Sequence, residues 1–292
     1  MFESAELGHK IDKETYRAEE PKLRAALLEA QHHLRENGTF PVIVLITGVD
    51  GSGKGETINT LYEWMDPRYL SAHAFSEPTA DERARPSMWR YWRALPPKGR
   101  VGIFVGSWYS QPIAERINNT VSRSDFDQRM DQLNRFEAML VNEGALVLKF
   151  WVHLSKDAQR ERLKSIEANP LTRWRVTKAS WDRLKTYDKL QEVAGHLLRT
   201  TNTPWAPWII VAGTDDRYRS LTIGKTILES LQKRLADKRE QSSPVAPPVS
   251  PRIDSLDVLS SLDMTQSLVK KEYESQLSAW QGRLAELLRH PE

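Results

Sequence analysis

Seven consecutive residues could do chemistry together: Gly48, Val49, Asp50, Gly51, Ser52, Gly53 and Lys54. They satisfy the spacing G-x-x-x-x-G-K and follow the apolar, β-branched run Val42 to Thr47. Glycines at such a turn let successive backbone N–H groups point into one concavity. A helix starting there adds roughly half a positive charge. Lys54 adds a full charge within reach of outer phosphates. The pattern predicts a phosphate cradle made by Gly48, Gly51, Ser52, Gly53, Lys54 and Gly55, with the lysine facing solvent. Two features are unusual. Gly55 stands where a Ser or Thr would hold Mg²⁺, and Asp50 puts a carboxylate inside the loop. A tight turn without a ligand is the plain alternative, but it needs neither three glycines nor the lysine.

Such a cradle ordinarily finds an acidic metal partner at the end of a second apolar strand. Here that strand ends in Val105 and Gly106, with no carboxylate. Two basic segments supply more positive charge. Asp81 to Arg100 carries six Lys/Arg against two Asp/Glu, with Arg83, Arg90 and Arg93 among them. Arg160 to Lys185 carries eight against three, interrupted by Asn169-Pro170 as a mobile lid would be. An arginine-rich lid over a phosphate loop neutralises charge spread over phosphate oxygens. Either segment could also be an ordinary solvated helix. The seven histidines show no metal-ligand spacing, and there is no cysteine.

These residues need a scaffold. Lys13 to Asn37 has leucine and alanine at helical spacing. Apolar runs at 42–47, 70–75, 100–105, 145–154 and 207–213 read as strands, with helices between them. The helices include one capped by Ser124 with Asp127 three residues on, one capped by Ser155, and a single long helix over 176–200. Alternating strands and helices predict an α/β fold with a five-stranded parallel sheet covered on both faces. One domain should fill residues 1–238, with a lid at about 156–200. A Pro/Ser-rich linker is expected at 239–264 and a further helix at 265–292. That last helix echoes the first. Aligning Tyr273 on Tyr16 also pairs Lys270 with Lys13, Leu284 with Leu27, Glu286 with Glu29 and His290 with His33. An internal repeat is the expectation, with the chain stopping where a second copy's first strand would begin.

Composition narrows the partners. A net charge of +3 is too small for a nucleic-acid coat. No apolar run reaches the 18 or so residues of a membrane helix. The first residues lack a basic n-region and an apolar h-region, so the expected location is the cytoplasm.

Several linked motifs resemble the polyphosphate kinase 2 family. They are "GVDGSGKGETI", "EPTADERARPSMWRYWRALPPKGRVGIF", "SWY" at Ser107 to Tyr109, "FEAMLVNEGALVLKFWVHLS", "NPLTRWRVT" and "TTNTPWAPWIIVAGTDDRYRS". Together they span about Ala25 to Lys233. The resemblance implies a P-loop kinase-like α/β/α sandwich with a helical lid. It also implies phosphoryl transfer between inorganic polyphosphate and AMP or ADP, with Mg²⁺, and a homodimer or higher oligomer. It assigns catalytic roles to Asp50, Lys54, Arg162, Arg173 and Arg175, metal binding to Asp50, and a site role to Glu115. Arg83 and Arg90 are further candidates. The chain departs from the pattern at one place. Where the family has aspartate-arginine-Ser-Trp-Tyr-asparagine-arginine, this chain has Val105-Gly106-Ser107-Trp108-Tyr109-Ser110-Gln111. The resemblance therefore implies the divergent N-terminal domain of a two-domain polyphosphate:AMP phosphotransferase, phosphate-binding but weak or silent alone. An ATP-dependent nucleoside monophosphate kinase and a purely structural or regulatory domain are the rival readings. Val105→Asp with Gly106→Arg is the natural attempt at repair.

Overall fold

The computed structural model describes residues 1–237, 262–263 and 265–289. In chain order its elements are α1 (Lys13–Asn37), β1 (Val42–Gly48), α2 (Lys54–Trp64), β2 (Leu70–Ala74), the single turns α3 (Ala80–Arg83) and α4 (Trp89–Trp92), β3 (Val101–Val105), α5 (Ser110–Ile117), α6 (Arg123–Asn142), β4 (Leu146–His153), α7 (Lys156–Ala168), α8 (Lys178–Lys185), α9 (Tyr187–Thr200), β5 (Trp208–Ala212), α10 (Asp216–Ala236) and α11 (Lys270–Arg289). Residues 1–238 form one compact unit and 239–292 a second. The expected linker at 239–264 falls outside the described residues except for Leu262 and Asp263, and so does His290 of the repeat alignment.

The five strands pair in parallel in the order β2-β3-β1-β4-β5. β1 is central and buried on both faces, which is why its sequence is a continuous apolar run. Val42, Val44 and Ile46 point into a core shared with α1, α2 and α10. Ile43 and Leu45 point into the opposite core, shared with α5, α6 and α9. The result is the expected α/β/α sandwich, and it delivers the glycine loop to the carboxyl end of the sheet, where open α/β sheets bind ligands. Gly48 closes β1 against β4. A Cβ there would lie 2.0 Å from Val152 O, at φ +135°, so no other residue fits.

The structure corrects three local expectations. The cap of α6 is Ser122, whose side chain accepts from Asp125 N in a capping box, two residues before the expected Ser124 and Asp127 pair. The expected long helix over 176–200 breaks at Thr186, whose hydroxyl donates to Arg183 O and diverts the backbone between α8 and α9. The basic segment after β2 makes only the two short turns α3 and α4, and α5 was not anticipated at all.

The "SWY" segment is structural. Trp108 Nε1 donates to Glu137 Oε1 at 3.0 Å, and the Tyr109 hydroxyl donates to the same oxygen at 2.6 Å. Lys149 Nζ donates to Glu137 Oε2 and to Thr201 O, both at 2.7 Å. Glu137 and Lys149 are wholly buried. Burial pulls the Lys149 pKa down while Glu137 resists, and burial followed by Glu137 pushes Tyr109 well above the ordinary phenol value. The network ties the chain just after β3 to α6 and β4, fixing how the strand ends. Lys149→Met would leave a buried carboxylate unpaired and is expected to cost about 3–5 kcal/mol. Chemical denaturation measures this; a loss under about 1 kcal/mol would contradict a buried ion pair.

Candidate phosphate-binding site

β1 ends at Gly48, and Gly51 and Gly53 carry φ +76° and +95° before α2 begins at Lys54. The loop is thus built from the residues the sequence selected: Gly48, Gly51, Ser52, Gly53, Lys54 and Gly55. Its lysine behaves differently from expectation. Lys54 is half-buried, and its ammonium folds onto Gly48 O at 3.0 Å and Val49 O at 2.7 Å. Burial lowers its pKa, with Asp50 opposing and Arg183 assisting. The cause of the fold-back is local: in this conformation the two loop carbonyls offer the ammonium partners. Ser52 Oγ is buried without a hydrogen-bond partner.

The two carboxylates of the loop are held by arginines. Arg183 Nε, on α8, donates to Asp50 Oδ2 at 2.6 Å. Glu56, in the first turn of α2, gathers three guanidinium groups. Arg162 of α7 lies 2.6 Å from Oε1, Arg175 3.8 Å from Oε1, and Arg219 of α10 3.1 Å from Oε2. Arg219 is buried beneath the loop. It also donates to Thr57 Oγ1 at 3.2 Å and Gly213 O at 3.0 Å, and a Cβ on Gly53 would meet its guanidinium at 2.3 Å. Beside this cluster lies a cavity of about 500 Å³ walled by Gly48, Asp50, Ile113, Gln159, Arg183 and Leu190.

The other expected residues divide. Arg162 and Arg175 reach the loop through Glu56. Arg173 is exposed on the same turn as Arg175, between α7 and α8, and makes no ion pair among the described contacts. Arg83 is exposed and donates to Pro78 O at 2.6 Å. Arg90 packs over Phe75 and lies 3.5 Å from Glu82. Glu115 accepts from Gln111 at 2.7 Å and faces Arg129 at 3.7 Å. None of these last three contacts the loop. Three residues at the loop were missed: Glu56, Arg183 and Arg219. Glu56 reads as an ordinary acid in a helix's first turn, Arg183 as one charge among eight in the lid run. Arg219 sits in "DDRYRS", where nothing local marks it as buried.

At the end of β3 the backbone itself limits which side chains can stand there. Gly106 has φ +64°, and a Cβ there would lie 2.3 Å from Phe75 O. Phe75 N donates to Val105 O at 2.8 Å, tying the two strand ends together. Mg²⁺ takes hard oxygen ligands in an octahedral array. Asp50 is committed to Arg183, Val105 offers no oxygen, and no group of three or more His, Asp or Glu gathers among the described residues. Mg²⁺ keeps several waters and is commonly held by one or two carboxylates together with phosphate oxygens, so Asp50, once released from Arg183, is the residue that would hold it.

The model of the polyphosphate kinase 2 family matches residues 10–239. The chain belongs to the polyphosphate kinase 2 family. Within it, the chain is similar to a polyphosphate:AMP phosphotransferase of Pseudomonas aeruginosa, 48% identical over 290 residues, 99% of this chain and 58% of that protein. An AMP/ADP-polyphosphate phosphotransferase of Meiothermus ruber is 31% identical over 210 residues, 72% of this chain and 79% of that one. A Pseudomonas aeruginosa crystal structure described as a polyphosphate kinase 2 superposes with a TM-score of 0.81 at 45% identity, over 99% of this chain and 56% of that chain. This polyphosphate kinase 2 chain therefore spans little more than half the length of its Pseudomonas relatives. No helix among the described residues is long and apolar enough to cross a membrane.

The strand-end geometry gives a direct test. Gly106→Arg should destabilise the domain by at least about 2 kcal/mol, from positive-φ strain plus the clash with Phe75 O. Val105→Asp, half-buried at the strand end, should cost less. Thermal melts compare them; a Gly106→Arg variant as stable as the parent would show that the strand end still accepts the family's arginine.

Proposed function

We propose that this chain is the first of two kinase-like domains of a polyphosphate:AMP phosphotransferase, one that grips polyphosphate and transfers phosphoryl groups slowly. The observation that carries this reading is the pairing of an intact phosphate loop with a strand end, Val105-Gly106, that has lost its acid and its arginine. The names of the Pseudomonas and Meiothermus relatives support polyphosphate and AMP as the substrates. The second domain is supported by the relatives' length and by α11. In the register that aligns Tyr273 on Tyr16, Trp280, Leu284 and Leu287 fall on Leu23, Leu27 and Ala30. The α1 residues are buried, whereas Trp280, Leu284 and Leu287 are exposed. α11 thus carries the apolar stripe of a first helix.

In this reading the loop amides and Lys54 hold outer phosphates, while Arg162, Arg173 and Arg175 neutralise the chain from the lid. The 500 Å³ cavity next to Asp50 is large enough for the acceptor nucleotide. Transfer is slow because charge developing on the phosphoryl oxygens meets fewer fixed positive groups. Removing one preorganised donor costs about a hundredfold or more in rate. A structural domain without phosphate affinity is the competing reading, favoured by the arginines already paired with Asp50 and Glu56.

Steady-state ADP formation from polyphosphate and AMP tests this. The purified chain should turn over at least about a hundredfold more slowly than a family member with an intact acid and arginine. Turnover of several per second, abolished by Asp50→Asn, would overturn the reading.

A further inference from the structure

We propose that Glu56 is an internal anion that latches the lid over the phosphate loop and competes with phosphate for the lid's arginines. The proposal rests on the reading that the loop and lid bind polyphosphate. Glu56 lies two residues after Lys54, in the helix turn nearest the loop. Its carboxylate meets Arg162 at 2.6 Å and Arg175 at 3.8 Å from the lid, and Arg219 at 3.1 Å from the body of the domain. A carboxylate holding three guanidinium groups occupies the position that a phosphate oxygen would take among them.

The geometry makes this a bridge between lid and body. Arg162 belongs to α7 and Arg175 to the turn Arg173–Arg175, so one carboxylate fastens both halves of the lid before α8. Asp50 fastens α8 itself through Arg183 at 2.6 Å. Arg162 and Arg175 are each about two-fifths exposed, so either pair alone would be weak in water. Their convergence on one carboxylate makes the contact cooperative with lid closure. A second cavity of about 480 Å³ opens beside the cluster, walled by Gly55, Glu56, Leu171, Trp174 and Arg175. An anion entering it meets Arg175 directly next to its built-in competitor.

Glu56 also pairs with buried Arg219, so a purely structural role has to be separated from a latch. Arg219 keeps three other acceptors, Thr57 Oγ1, Ser52 O and Gly213 O, when Glu56 is neutralised. Two readouts on the whole chain therefore decide: amide hydrogen exchange without ligand, and titration with short inorganic polyphosphate. In Glu56→Gln, exchange over 160–185 should speed up while α10 stays protected, and polyphosphate should bind about tenfold more tightly, as a competing charge is lost. Arg162→Gln should loosen the same lid segment but weaken binding. Unchanged lid exchange in Glu56→Gln, equal loosening of lid and α10, or an affinity that stays the same or falls would each overturn the proposal. If neither parent nor variant binds polyphosphate, the functional reading fails, and the exchange comparison alone then upholds or overturns the latch.

Discussion

A helix that begins in a glycine loop gathers positive potential at its first turn, and this site depends on which anion neutralises it. Lys54 and the arginines 162, 175, 183 and 219 add to that potential. The protein supplies two carboxylates of its own, Asp50 and Glu56, and the arginines take both. Two carboxylates set against these five cations leave the site net positive, and on our reading that excess is what a polyphosphate chain meets. The site's charge has to be exchanged between partners when a polyanion arrives, since the same guanidinium groups cannot serve both fully.

The sheet sets this balance by fixing where the loop and the strand ends lie. β1 can deliver the loop only because Gly48 passes within contact of Val152 on β4, a position closed to any side chain. The Glu137–Lys149 pair, between α6 and β4, anchors the segment after β3 through Trp108 and Tyr109. Val105 and Gly106, the two residues just before this segment, offer neither a carboxylate nor a guanidinium. On the reading proposed above, the fold keeps the loop of a phosphotransferase site while Val105 and Gly106 stand where metal and phosphate charge would be managed. The tight turn at Gly106, where a Cβ would lie 2.3 Å from Phe75 O, makes this strand end a matter of backbone path as well as side chains.

Much of this was legible in the residues. The continuous apolar runs and the spacing of loop glycines fix strands, sheet and cradle, because burial and positive φ each demand particular residue types. The lid's charge was visible as a run of arginines, but not which arginine faces which acid. Arg183 reaches Asp50 from α8, which ends before Thr186 where the sequence reads as one helix, and a threonine inside a helical pattern gives little warning. Glu56 looked like a helix-dipole acid, since sequence alone does not show that α7 and α10 converge on it from more than 100 residues away. Arg83, Arg90 and Glu115 were drawn from the family pattern or local charge. In the fold they are occupied with Pro78, Glu82 and Gln111 instead.

The central claim is that loop and lid together form an anion site for polyphosphate despite the altered strand end. Calorimetric titration of inorganic polyphosphate into the chain at increasing salt tests it most directly. Several guanidinium–phosphate contacts release several counterions, so the affinity should fall by about tenfold or more between roughly 50 and 200 mM salt. Absence of binding at low salt, or an affinity that stays flat across that range, would contradict the account.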